Sequence, residues 1–150
     1  MIEVSEYVDF TYSVTLGGTL LGEFRELTPK DLYYIEILKK ENGGEDIPET
    51  FFLVEMVSHL SECEMDMILD LPVRQFRVLA RWFAGEILEG KVMTPYQFLE
   101  IAFHLMKQRW DSTLEWLEDQ PMSKVLTMVD VLSKFTERQN KEMQRSSRRK

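Results

Sequence analysis

Few side chains in this 150-residue chain stand at spacings that could do chemistry. His59 and Cys63 are four apart and would place a nitrogen and a sulfur ligand on one face of a continuous helix. Two ligands leave a zinc site half made. The Ser61-Glu62-Cys63-Glu64 spacing also reads as a capping box that restarts the chain, so the helix is expected to stop between them. His59 and His104 are therefore read as core or surface histidines. Asp66 and Asp70, also four apart, could share acid–base work, but they sit among so many acids that a solvated face is the simpler reading. Gly17-Gly18 lies between two β-like runs, the wrong context for a phosphate loop. Cys63 has acids rather than cations around it, so an unreactive thiol is expected. No nucleophile–base pair or complete metal set emerges. The expectation is a non-enzyme with no cofactor, no metal and no small-molecule substrate.

Two other groupings point to binding. Arg74, Arg77 and Arg81 fall on one face of a helix, where they could meet phosphate or an acidic partner, or pair with acids of the chain itself. Aromatic and methionine side chains form the second: Phe51, Phe52, Met56, Trp82, Phe83, Trp110 and Trp116, in a chain with nine methionines. Core filling is the plain reading. A partner-binding groove is the sharper one, since such residues supply contact area at modest ordering cost. Those seven, with the three arginines, are the candidate partner-binding set.

These residues must be positioned by helices. Tyr7 to Leu16 is rich in aromatic and β-branched residues and alternates apolar and polar from Phe10 on, Gly17-Gly18 can turn, and Leu20 to Leu27 returns, with Gly22 as a weak point or bulge. Thr28-Pro29-Lys30-Asp31 starts a helix that Asn42-Gly43-Gly44 ends. A second helix from near Pro48 to Leu60 is apolar on almost every side and so central. A short helix over Glu62 to Leu69 and a long one over Pro72 to Glu89 follow. Thr94-Pro95-Tyr96-Gln97 opens another, Asp111 caps a short one, and Gln120-Pro121 opens the last, whose stripe runs from Met122 to Phe135. The expected fold is mainly α: an N-terminal β-hairpin (residues 1–27) and about six short-to-medium helices in one compact bundle, a single domain over 1–135. Residues 136–150 form a solvated basic helix or tail.

Charge follows the same division. Residues 1–70 carry net −12, residues 71–135 are balanced, and residues 136–150 carry +4 within an overall −8. The acidic half repels a phosphate backbone, which makes nucleic acid an unfavoured partner. With one cysteine there is no intramolecular disulfide, and no run of 18 apolar residues exists. The N-terminus carries acids where a signal peptide would carry bases. A cytoplasmic protein without membrane contact is expected.

The element order carries a resemblance. A strand pair ends in Phe24-Arg25-Glu26-Leu27-Thr28-Pro29-Lys30-Asp31-Leu32, then come Leu60-Ser61-Glu62 and Leu69-Asp70-Leu71-Pro72-Val73-Arg74-Gln75-Phe76. This resembles the tail assembly chaperones of tailed bacteriophages, with their "R-x-L-T-x-x-D-L" helix start and a later "L-x-x-L-x-x-x-D" helix start, in which Gln75 stands where an Asp would be expected. The likeness covers residues 10–88 and, more loosely, 95–135, where the Trp-bearing segment looks like the second part of the longer chaperones. It implies a chaperone in the host cytoplasm that coats a helical tape-measure protein and helps bring tail subunits to it, with self-association possible. A baseplate or virion subunit, or a helical nucleic-acid-binding regulator, are the alternatives.

Overall fold

A computed structural model describes residues 2–6, 11–108 and 113–149. The chain opens with three antiparallel strands in the order β1 (Ile2–Glu6), β2 (Thr11–Leu16) and β3 (Thr19–Arg25). The expected hairpin is β2–β3, and β1 adds a strand to its outer side. Gly17 and Gly18 take φ of 59° and 81°, the positive pair that a tight two-residue hairpin turn requires. Pairing runs Thr11↔Arg25 to Val14↔Gly22 and then shifts so that Thr15 faces Leu20. The extra residue is accommodated beside Gly22, at φ 147°, which realises the bulge expected there.

The rest is helical. Helix α1 (Pro29–Glu41) leads through a single 3-10 turn to α2 (Glu49–Leu60) and the short α3 (Met65–Leu69). Helix α4 (Val73–Trp82) continues into a π-helical stretch over Phe83–Leu88, and α5 (Pro95–Lys107), α6 (Leu114–Glu118) and α7 (Met122–Arg148) complete the chain. Thr94 and Gln97 form the expected capping box of α5, through reciprocal bonds of 2.9 and 3.2 Å. The expected box at Ser61 does not form. Ser61 has extended backbone angles and bridges Phe24 of β3, while its hydroxyl donates to the Val57 carbonyl at 2.6 Å. Tertiary pairing with the sheet edge takes that residue away from α3, which starts later, after Glu64. Asp111, expected to cap α6, lies outside the described residues; Thr113 caps it, accepting from the Trp116 N–H at 3.1 Å.

One continuous cluster of buried side chains joins sheet and helices, with Phe24, Phe83, Phe98, Leu27, Leu32 and Met56 among its fully enclosed members. Burying such side chains contributes roughly 1.5–3 kcal/mol each before conformational entropy is charged against it. The β3–α1 connection is the point where the layers are tied. Arg25 grips Asp31 with two bonds of 2.6 and 2.7 Å. Helix α7 starts after Pro121, which has no capping side chain. Its first free N–H groups are taken from a distance: Met122 donates to the Leu27 carbonyl (2.7 Å) and Ser123 to Glu26 Oε1 (2.9 Å). The Ser123 hydroxyl also donates to Glu26 Oε1, and Lys91 Nζ stands 3.4 Å from it. Glu26 is thus a buried acid that caps a helix 97 residues away.

Candidate functional site

The residues expected to work together are placed as follows. Met56 and Phe83 are fully buried, so the groove role expected of them is corrected: both are core. Met56 is on the inward side of the central α2, and Phe83 meets Phe24 at a ring separation of 6.2 Å. Trp82 is half-buried in the helix–sheet seam, edge-on to Tyr12 at 5.9 Å and Phe24 at 5.6 Å. Phe52 is half-buried with Lys39 Nζ 5.8 Å from its ring. Phe51 and Trp116 remain accessible at 38% and 41%, and Lys124 Nζ sits 5.0 Å from the Trp116 ring. Trp110 lies outside the described residues. Arg74, Arg77 and Arg81 are exposed and make no ion pair among the described residues, so they do not neutralise the acidic half. Phe135, expected to close the inner stripe of α7, is 56% exposed, because the helix has already left the core by then.

The polar constellation is a clamp. Asp31 accepts from both Arg25 nitrogens, from the Thr28 N–H (2.8 Å) and hydroxyl (3.0 Å), and lies 2.8 Å from His59 Nε2. Burial pushes its carboxyl up, but Arg25, the Thr28 amide and His59 outweigh that and hold it below the usual carboxylate range. Tyr34 stacks on His59 with ring centroids 3.8 Å apart. A cavity of about 230 Å³ opens beside Arg25, His59 and Glu62. The nearby oxygen and sulfur nucleophiles are otherwise engaged: Ser61 with the Val57 carbonyl, and the Cys63 thiol with the Leu21 carbonyl at 2.8 Å. Burial raises the Cys63 pKa further, which disfavours the thiolate. His59 lies in α2 and Cys63 in the connection to α3, and they hold separate partners. Among the described residues no group of three or more His, Cys, Asp or Glu is arranged to hold a metal ion, and no helix is long and apolar enough to cross a membrane.

A different surface has the features of a binding site. Two adjoining apolar cavities of about 210 and 200 Å³ meet at Leu71. The first is lined by Val54 of α2, Ile68 and Leu69 of α3, and Val73 and Phe76 of α4; the second by Leu20 and Leu21 of β3, Met67 of α3 and Gln75 of α4. Leu69 and Val73 are 61% and 66% exposed, and Leu20 and Met67 61% and 51%. Isolated surface apolar residues are ordinary, but a concave group of them marks an interaction site. The local cause is Pro72. It separates α3 from α4, leaving Leu69 and Val73 exposed on either side of the bend and Leu71 half-buried between them. Exposed acids Glu49, Asp66 and Asp70 adjoin the α2 and α3 lining residues in sequence, and exposed Arg74 and Arg77 adjoin those of α4.

Sequence reading missed this groove because its residues fit no single helical stripe; the Leu69-Asp70-Leu71-Pro72-Val73 alternation around a helix breaker was the available signal. It also missed the Arg25–Asp31–His59 clamp, although Arg25 and Asp31 are two of the four charged residues in the stretch Phe24 to Leu32 that carries the family resemblance. Comparison of the chain with protein-family models, with curated proteins and with solved structures finds no match in any of the three.

Proposed function

We propose that the protein is a non-enzymatic assembly chaperone of the phage-tail kind, working in the host cytoplasm, whose groove between α2, α3, α4 and the hairpin tip shields an apolar helix of a tape-measure-type client and helps bring tail subunits to it. The observation that carries this reading is the exposed, concave apolar surface around Leu69, Leu71 and Val73. An amphipathic helix seats its apolar face in such a groove. The acidic exterior supports the same reading, because like-charged complexes repel and stay dispersed. Co-expression with the long helical tail protein of the same genome tests it. The client is expected to move to the soluble fraction and co-purify, and Leu69→Asp with Val73→Asp to abolish both effects. A client equally soluble with and without the protein refutes it.

A virion or baseplate subunit is the second reading, favoured by one observation. Strand β1 pairs with β2 alone among the described residues, which leaves an edge that a neighbouring sheet could extend. Its presence in purified particles at stoichiometric amounts would select this reading, since a chaperone leaves.

A further inference from the structure

Helix α7 runs well past the fold that holds it. Its last buried side chain is Leu132, and residues 133–148 continue as helix with every side chain exposed. A helical arm of that length without tertiary support is marginal in water, so a covering partner favours it. Its chemistry is directional. At 3.6 residues per turn, Arg138, Lys141, Arg145 and Arg148 fall within an arc of about 80°. None of the four makes an ion pair among the described residues, whereas Lys134 on the same line pairs with Asp130 at 2.9 Å. Glu137 and Glu142 flank the stripe, and exposed Val131 and Phe135 lie along one side of it. The arm is therefore a basic, partly apolar helix attached to an otherwise acidic protein.

The groove is its complement. It offers apolar walls at Leu69 and Val73, and the exposed acids Glu49, Asp66 and Asp70 are chain neighbours of its lining residues Thr50, Met67, Leu69 and Leu71, none of the three ion-paired among the described residues. Residues 1–70 carry net −12 against the +4 of residues 136–150. Arg74 and Arg77 restrict a basic helix to the α2–α3 side of the groove. We propose that the α7 arm of one copy docks in the groove of a second copy, with Phe135 against the apolar walls and the basic stripe along Glu49, Asp66 and Asp70. This deepens the proposed function, on whose groove it rests: the chain carries its own stand-in for a client helix, and self-association covers the groove until a client displaces the arm. The contact is one helix face, so the association is weak and salt-sensitive.

Sedimentation velocity of the full chain tests this, with circular dichroism to confirm folding. The wild type is expected to self-associate with increasing concentration, and less so when salt rises from about 0.05 to 0.5 M. The arm variant Arg138→Glu/Lys141→Glu/Arg145→Glu and the groove variant Leu69→Asp/Val73→Asp should each weaken association about tenfold or more. Mixed together, they should recover a 1:1 pair, because one supplies the groove and the other the arm. If the groove variant misfolds, Leu69→Ser replaces it in the same mixture. A wild type that stays monomeric at about 0.5 mM overturns the proposal. So does a variant that associates as the wild type does, or a mixture of folded variants that does not pair. An arm that binds duplex DNA in a monomeric protein likewise overturns it, and assigns the stripe to nucleic acid. The client reading is tested separately, since the arm variant keeps an open groove and should still solubilise the client.

Discussion

Removing the Glu26 carboxylate should destabilise the protein far more than its position in a strand-to-helix connection would suggest. Glu26 is 2% exposed, and its Oε1 takes the Ser123 N–H and hydroxyl at the start of α7. Loss of a helix cap costs about 1–2 kcal/mol. Glu26→Ala also strands a buried donor, at about 1–3 kcal/mol, and deprives Lys91 of the carboxylate 3.4 Å away. Against this, Oε2 of Glu26 is buried with no hydrogen-bond partner among the described residues, a cost that the substitution relieves. The net expectation is a loss of about 2–3 kcal/mol, equivalent to a fall in urea midpoint of roughly 1–2 M. Glu26→Gln keeps an acceptor for Ser123 and loses the charge that faces the helix end and Lys91, so it should cost about 0.5–1 kcal/mol. Urea unfolding followed by far-ultraviolet circular dichroism measures both. An alanine variant within 0.5 kcal/mol of wild type, or a glutamine variant as damaging as alanine, would refute the capping role.

Three further outcomes follow from the same contacts. Asp31 has its folded pKa held below the ordinary value of 3.8, so its stabilisation is fully present above about pH 4 and is lost as pH falls through the depressed value; the stability gap between wild type and Asp31→Asn should therefore be open at about pH 5 and close as pH falls below about 4 in urea melts. Cys63, buried and bonded to Leu21, should react with a thiol reagent at pH 8 orders of magnitude more slowly in the folded protein than in urea, and equal rates would contradict its placement. Gly17→Ala should cost about 1–2 kcal/mol in a thermal melt, because φ is +59° and the new Cβ would fall 2.5 Å from Gln75 Nε2; Gly18→Ala, at φ +81° with open space around it, should cost less.

Local signals carried much of the fold. Thr94-Pro95-Tyr96-Gln97 capped the helix it was expected to cap, Gly17-Gly18 turned the hairpin, and Gly22 sat at the bulge, because each is decided by a few neighbouring residues. The failures arose where distant chain decides. Ser61 left its capping box to bridge Phe24, and Glu26 caps α7 across 97 residues, which no window of sequence displays. The candidate surface was legible as an apolar excess but not in its location. Met56 and Phe83, the obvious large apolar residues, are the ones a core consumes first, and the exposed walls of the groove include Leu69 and Val73, on either side of the Pro72 bend.

The most direct measurement is site-specific photo-crosslinking in cells that express the client. A photoreactive side chain is placed at Leu69 or Val73 in the groove, and at the equally accessible Ile37 of α1 as control. Client adducts at positions 69 and 73 and none at 37 are the expected result. Adducts at 37 alone, or none at 69 and 73 while the client stays bound, would contradict the groove as the binding surface.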